Sequence, residues 1–218
     1  MNVGQSENGV NESPYTVHVL YDGYSKMVSE SEMEANGTCT LIKGRLNLIV
    51  DTMTPWDKDV IVTALGKHGV NVNQIDYVIS THSHSDHTGN NNLFLKAKHI
   101  VGFSISYKHK YTIHPFDEGK PYVIDKDISI IPTPGHTHDD VSVVVNTKNQ
   151  GTVAVVGDLF EREEDLEDPE LWRTVAGSQS PERQEENRNK VLRLANYIVP
   201  GHGPMFRVTD AMKKKVEL

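Results

Sequence analysis

The sequence predicts an α/β protein in which two β-sheets pack together with helices on the outside. Three observations lead there. Short Val- and Ile-rich runs recur along the chain, bounded by Gly, Pro, Asn or Asp as strands are. The runs come in two batches, each followed by a segment of helical periodicity. A length of 218 residues suits one sizeable domain but is tight for two.

In chain order the strand runs are YTVHVLY (15–21), TCTLIK (38–43), LNLIVD (46–51), DYVIST (76–81) and AKHIVG (97–102). ISIIPT (128–133), DVSVVVN (140–146), GTVAVVGD (151–158) and YIVP (197–200) follow. A helix is expected over 57–67, opening after Thr54-Pro55, with Ile61, Ala64, Leu65 and His68 on one face. The stretch NNLFLKAK (91–98) also reads as helix-like. A further helix is expected over Pro181–Ala195, with Ser180 as N-cap and Pro181 at the first helical position. Its first half is nearly all charged, so Val191, Leu192 and Ala195 are the residues expected to reach a core.

Residues 1–13 read as a polar, disordered leader, 14–210 as one domain and 211–218 as a C-terminal tail. The leader lacks the apolar centre of a secretory signal, and no run approaches the ~18 apolar residues of a membrane span. A single cysteine, Cys39, excludes an internal disulfide framework. That fits a reducing compartment, so a cytoplasmic or nuclear location is expected.

The net charge of −8 argues against a protein that coats nucleic acid non-specifically. The charge is uneven, however. No Asp or Glu lies between His87 and Phe116, where Lys96, Lys98, Lys108 and Lys110 give +4, whereas eleven acids face four arginines from Gly157 to Arg188. Such runs are commonly solvated faces, but a dipolar surface can also steer a polyanion.

The chemistry is concentrated in Thr81-His82-Ser83-His84-Ser85-Asp86-His87, which follows the apolar run DYVIS. Imidazole nitrogens and carboxylate oxygens are standard ligands for zinc and other borderline metals. The alternation His82-x-His84 puts two rings on one side of an extended segment. The adjacent Asp86-His87 can address a second ion, and ions ~3.5–4 Å apart can share one water. Three more potential ligands stand at Gly- or Pro-marked strand ends: His136 in PTPGH, Asp158 after TVAVVG, and His202 in PGHG.

This order of residues, spanning about 15–207, resembles the metallo-β-lactamase superfamily. The resemblance implies an αββα sandwich of two mixed sheets with the metals at one edge between them. It further implies His82, His84 and His136 on one zinc, Asp86, His87 and His202 on a second, and Asp158 bridging both. Asp51 matches the family's early strand-end aspartate, with the implied role of orienting a ligand. The family usually reads Asp-Thr-Gly there, whereas this chain has Asp51-Thr52-Met53.

Two zinc ions are therefore the expected cofactors, with iron as the alternative. Two divalent ions lower the pKa of water from ~15.7 towards ~7, which makes hydrolysis the expected reaction. Asp86 and Asp158 are the expected catalytic residues, able to take the proton shed during attack. His138, where relatives carry a different residue pattern, is a candidate substrate contact. So are Lys108 and Lys110, whose neighbours Tyr107 and Tyr111 are compatible with stacking on bases.

The chain ends sixteen residues after His202, and no segment matches the extra domains of glyoxalase II, flavin-binding or large RNA-processing relatives. A compact member is expected. The phrases THSHSDHTGN, DVSVVV, GDLFER and VPGHGPMFR resemble compact animal members of the superfamily. That likeness implies an endoribonuclease acting on the 3′ ends of histone pre-mRNA, with RNA as partner and a homodimer as an open alternative. A glyoxalase II-like thioester or ester hydrolase, and a non-catalytic metal-binding module, are the competing readings.

Overall fold

The computed structural model describes residues 13–216, and every structural statement below concerns those residues. The first half of the chain supplies β1 (Thr16–Tyr21), a hairpin of β2 (Tyr24–Met27) and β3 (Met33–Asn36), then β4 (Cys39–Lys43) and β5 (Leu48–Val50). It continues with α1 (Lys58–Lys67), β6 (Tyr77–Ser80), the one-turn helix α2 (Ser85–Thr88), β7 (Lys98–Val101), β8 (Ser104–Tyr107) and β9 (Lys110–Thr112). The second half supplies β10 (Tyr122–Val123), β11 (Ile128–Pro132), β12 (Val141–Thr147) and β13 (Gly151–Gly157). After these come α3 (Pro181–Leu194), β14 (Tyr197–Pro200), β15 (Phe206–Arg207) and α4 (Asp210–Lys215).

The strands form two mixed sheets, β1-β4-β5-β6-β7-β8-β9 and β10-β11-β12-β13-β14-β15. β5, β6 and β7 run parallel, as do β13 and β14, and the remaining pairs are antiparallel. Strand alternation explains the layering. Ile42, Leu48, Val50, Ile79 and Ile100 of one sheet meet Ile130, Val143, Val153, Val155 and Val199 of the other in a central core. Their neighbours point outward. Leu41, Ile49 and Val78 pack under Ile61 and Leu65 of α1, while Ala154, Val156 and Ile198 pack under Val191 and Leu192 of α3. Both faces of each sheet are covered, which is the αββα sandwich. Cys39 is buried in the outer layer beneath α1.

Several local expectations need correction. NNLFLKAK is not a helix. It forms one 3-10 turn, Asn91–Leu93, before β7 begins, because Phe94 is drawn into the layer beneath α1 and the chain must re-enter the sheet. The charged half of α3 is not wholly solvated, since Gln184 and Arg188 are buried. Ser180 stands at the N-cap of α3 but makes no side-chain cap bond. Of the expected tail 211–218, residues 211–215 continue α4, which packs against α3, and residues 217–218 lie outside the described residues. Of the expected leader, residues 1–12 lie outside the described residues, and Ser13 donates to the Asn146 carbonyl.

Candidate metal centre

The sheet edges bring the ligand candidates together. β6 ends at Ser80, and the chain turns through His82 and His84 into α2, which carries Asp86 and His87. His136 sits in the turn after β11, Asp158 follows β13, and His202 follows β14. β5, β6, β13 and β14 all leave their sheets at this end, because the parallel registers set Val50 beside Ile79 and Gly157 beside Pro200.

Two groups of donor atoms result. His82 Nε2 and His136 Nε2 lie 2.9 and 3.1 Å from His84 Nδ1, and 3.6 and 3.4 Å from Asp158 Oδ2. In the second group His87 Nε2 and His202 Nε2 each lie 3.8 Å from Asp86 Oδ2. They also lie 3.1 Å from Asp158 Oδ1 and 3.3 Å from Asp158 Oδ2 respectively. Ligand atoms around a tetrahedral ion with bonds of ~2.0–2.1 Å stand ~3.3 Å apart, which is the spacing found here. Asp158 is the residue common to both groups.

The far nitrogens of four rings are held by the fold. His82 Nδ1 meets Thr81 Oγ1, and His136 Nδ1 meets the Gly177 carbonyl at 2.8 Å. His87 Nδ1 meets Asp51 Oδ2 at 2.8 Å, and His202 Nδ1 lies 3.1 Å from the Tyr24 and Asn36 carbonyls. Donating Nδ1–H to these oxygens leaves each Nε2 lone pair facing the cluster, the arrangement that metal-bound histidines use. His87 Nε2 and Asp158 Oδ1 are buried without a well-formed hydrogen bond. Buried polar atoms of this kind call for a partner, and a cation supplies one to both.

The rings differ in charge, and Asp158 is the reason. Burial favours a neutral His82, with its pKa well below the usual value, and neutral imidazole is the ligating form. Burial opposes charging His87 and His202 too, but Asp158 outweighs it, holding His87 well above its ordinary value and His202 at about 9. Burial would raise the Asp158 carboxyl, yet His87, His202 and His82 hold it well below the carboxylate range. The residues present fit two divalent ions: His82, His84, His136 and Asp158 would hold one, and Asp86, His87, His202 and Asp158 the other.

Asp51 lies behind this layer. It is 2 % exposed, accepts from the Thr81 amide at 2.7 Å and from Thr81 Oγ1, and orients His87. Met53, standing where the family has glycine, keeps a left-handed φ of 56° at a cost of roughly 1–2 kcal/mol.

Other expected residues fall elsewhere. His138 is exposed beside the turn that carries His136. Lys108 and Lys110 are exposed in the β8–β9 hairpin, paired through β7 to the start of β6 rather than to its metal end. Tyr77 and His82 are five positions apart, so these lysines stand ~17 Å from the cluster along the strand direction, and two to three strand spacings of ~4.8 Å to the side. Lys98 is engaged with Tyr122, its ammonium donating to the phenol oxygen at 3.1 Å.

Sequence reasoning missed several contributors. Asp140 is buried and closes the turn around His136 by accepting from the Gly135 and Thr137 amides and the Thr137 hydroxyl. Gln184 donates to the Asp158 carbonyl at 2.9 Å. Arg188 donates to the Leu159 carbonyl and forks onto Asp165, which in turn accepts from the Glu161 amide. Glu161, three residues after Asp158, is 3 % exposed and has a ligand atom within 4.8 Å of those of Asp158 and His202. Helical spacing of Gln184 and Arg188 was a readable signal, masked by the charges between them.

Comparison with known proteins agrees with this geometry. "Metallo-beta-lactamase domain-containing protein 1" of Xenopus laevis is 44% identical over 198 residues, covering 90% of this chain and 83% of its own. A probable metal-dependent hydrolase from Staphylococcus aureus superposes with a TM-score of 0.69 at 13% identity, covering 93% of this chain and 95% of its own. AidC, a dizinc quorum-quenching lactonase, superposes with a TM-score of 0.58 at 16% identity over 78% of this chain and 73% of its own. At such identities the two structures show likeness of fold. The model of the metallo-beta-lactamase superfamily matches residues 34–202, from the β2–β3 hairpin to the last candidate ligand. With fold, ligand order and sequence in agreement, this chain belongs to the metallo-beta-lactamase superfamily.

Proposed function

We propose that the protein is a two-zinc hydrolase that cleaves phosphodiester bonds in RNA. The observation that carries the hydrolase reading is Asp158, buried between two groups of imidazole donors. When bound, the ions would supply Lewis acidity towards water and towards the bond to be cleaved. Asp86, half-buried at the mouth of the cluster, is the carboxylate with a path to solvent and suits the transfer of a proton outward. Asp51, Thr81 and Asp140 keep the imidazoles in register.

The RNA part is supported by the resemblance to compact animal members, which implies histone pre-mRNA as substrate and the cytoplasm or nucleus as location. On this reading a substrate that uses Lys108 and Lys110 must follow the sheet for ~17 Å, so it spans several nucleotides.

A specific observation favours a second reading, an ester, lactone or thioester hydrolase. A cavity of about 330 Å³ beside the cluster is lined on one side by Met27, Met33, Leu171, Val175 and Ala176 and on the other by Ser25, Lys26, Glu161 and Arg162. The apolar side suits an acyl arm and the polar side a headgroup or amide. A side-by-side assay with single-stranded RNAs of graded length, a glutathione thioester and an N-acyl lactone tests both. We expect metal-dependent RNA cleavage, and Lys108→Gln/Lys110→Gln to raise KM for long RNA alone. Turnover of the lactone or thioester without RNA cleavage would replace the first reading by the second.

A further inference from the structure

Glu161 ends the turn after β13, on the wall shared by the metal cluster and the adjoining cavity. It is 3 % exposed. One carboxylate oxygen, Oε2, accepts from the Ser25 hydroxyl at 3.1 Å. The other, Oε1, is buried without a hydrogen-bond partner. Its neighbour Arg162 sends Nη1 to the Ser25 carbonyl instead. Yet a ligand atom of Glu161 lies within 4.8 Å of ligand atoms of both Asp158 and His202.

A buried carboxylate costs several kcal/mol unless it is paired, and a second carboxylate alongside raises that cost. A serine hydroxyl offsets little of it. A divalent cation would satisfy Glu161, Asp158 and His202 together.

Resting on the metal-centre reading above, we propose that Glu161 is an additional carboxylate ligand of the second metal, beside Asp86, His87, His202 and Asp158. That position then draws on Asp158, Glu161 and His202 on one side and on Asp86, His87 and His202 on the other. Such a donor set suits a five- or six-coordinate ion and shifts preference from zinc towards harder metals such as manganese or ferrous iron, because oxygen donors favour them. The first metal, held by three imidazoles and one carboxylate, remains a tetrahedral zinc position.

The experiment titrates metal-free full-length protein and Glu161→Gln separately with Zn²⁺, Mn²⁺ and Co²⁺, following heat and the Co²⁺ visible spectrum. Glutamine keeps the shape and the Ser25 contact while removing the charge. We expect Glu161→Gln to weaken the second binding event about tenfold or more, most for Mn²⁺, and to leave the first unchanged. The parent's second Co²⁺ should absorb weakly, as five- or six-coordinate ions do. Unchanged second-site affinity in the variant, or strong tetrahedral bands in the parent's second site, would overturn the proposal. The parent spectrum decides even if the variant fails to fold. A parent that binds no stoichiometric metal would sink the metal-centre reading itself, whereas two ions bound alike by both proteins would remove only Glu161.

Discussion

Gly201→Ala is the sharpest probe of how Asp158 is held. Gly201 follows β14, donates its amide to the Phe160 carbonyl at 2.9 Å and accepts from the Thr38 amide at 2.7 Å. Its φ lies outside the left-handed region, so alanine is conformationally acceptable there and any effect is steric. A Cβ at this position would stand 2.0 Å from Asp158 Oδ1, 2.9 Å from the Gly157 carbonyl carbon and 3.0 Å from the Asp158 nitrogen. To reach even the 3.0 Å that real contacts respect, the carboxylate must move by 1.0 Å. Backbone atoms block retreat of the methyl, so the carboxylate yields, and Oδ1 leaves the 3.1 Å approach to His87 Nε2. A misplacement of ~1 Å in a positioned group commonly costs ~100-fold. In binding terms that is ~2.8 kcal/mol, at ~1.4 kcal/mol per tenfold. Chelator competition, metal analysis and thermal melts with and without chelator read this directly. The variant should keep its fold, lose affinity for at least one ion and lose most of the chelator-sensitive part of its Tm. Two ions bound with parental affinity would refute the tight seating of Asp158 on Gly201.

Other perturbations separate the supporting contacts. Asp158→Ala should abolish turnover and empty at least one metal position, whereas Asp51→Ala should cost ~10–100-fold in metal affinity through loosened His87; equal metal content in Asp158→Ala and the parent would contradict the bridge. Arg188→Met leaves buried Asp165 unpaired and should destabilise by ~3–5 kcal/mol. Adding Asp165→Asn should recover part of that loss, and strict additivity in denaturant unfolding would show that the pair is not coupled. Burial pushes Asp140 up to about 7, against the Thr137 and Gly135 bonds that lower it. In metal-free protein the folded state therefore holds a proton that the unfolded chain releases near ~4, so the stabilisation this group gives is complete below ~4 and is lost as pH rises to about 7. Asp140→Asn should flatten that slope, and parallel stability–pH curves for parent and variant would exclude the effect.

The sequence by itself determined the layer pattern and much of the centre. Alternation such as Leu48-Ile49-Val50 commits one face to the central core and the other to a helix, whatever the strand's partner is. His82, His84, Asp86 and His87 are legible because they sit within one short turn, and strand-end glycines flag His136, Asp158 and His202. The hairpin β2–β3 was illegible, since its residues are largely exposed and carry no apolar alternation. So was the β8–β9 hairpin, whose turn uses Lys108 at a φ of 55° instead of glycine.

Only the tertiary structure decided which charges face the metals. Lys108 and Lys110 look close to the motif along the chain, but the antiparallel run of β8 back from β7 carries them to the opposite sheet end. Glu161 and Arg188 look like solvated members of an acidic stretch, yet β13 and α3 fold them into the wall behind Asp158. Periodicity is local and readable residue by residue. Register and layer packing bring together residues distant in sequence, and no single segment carries that information.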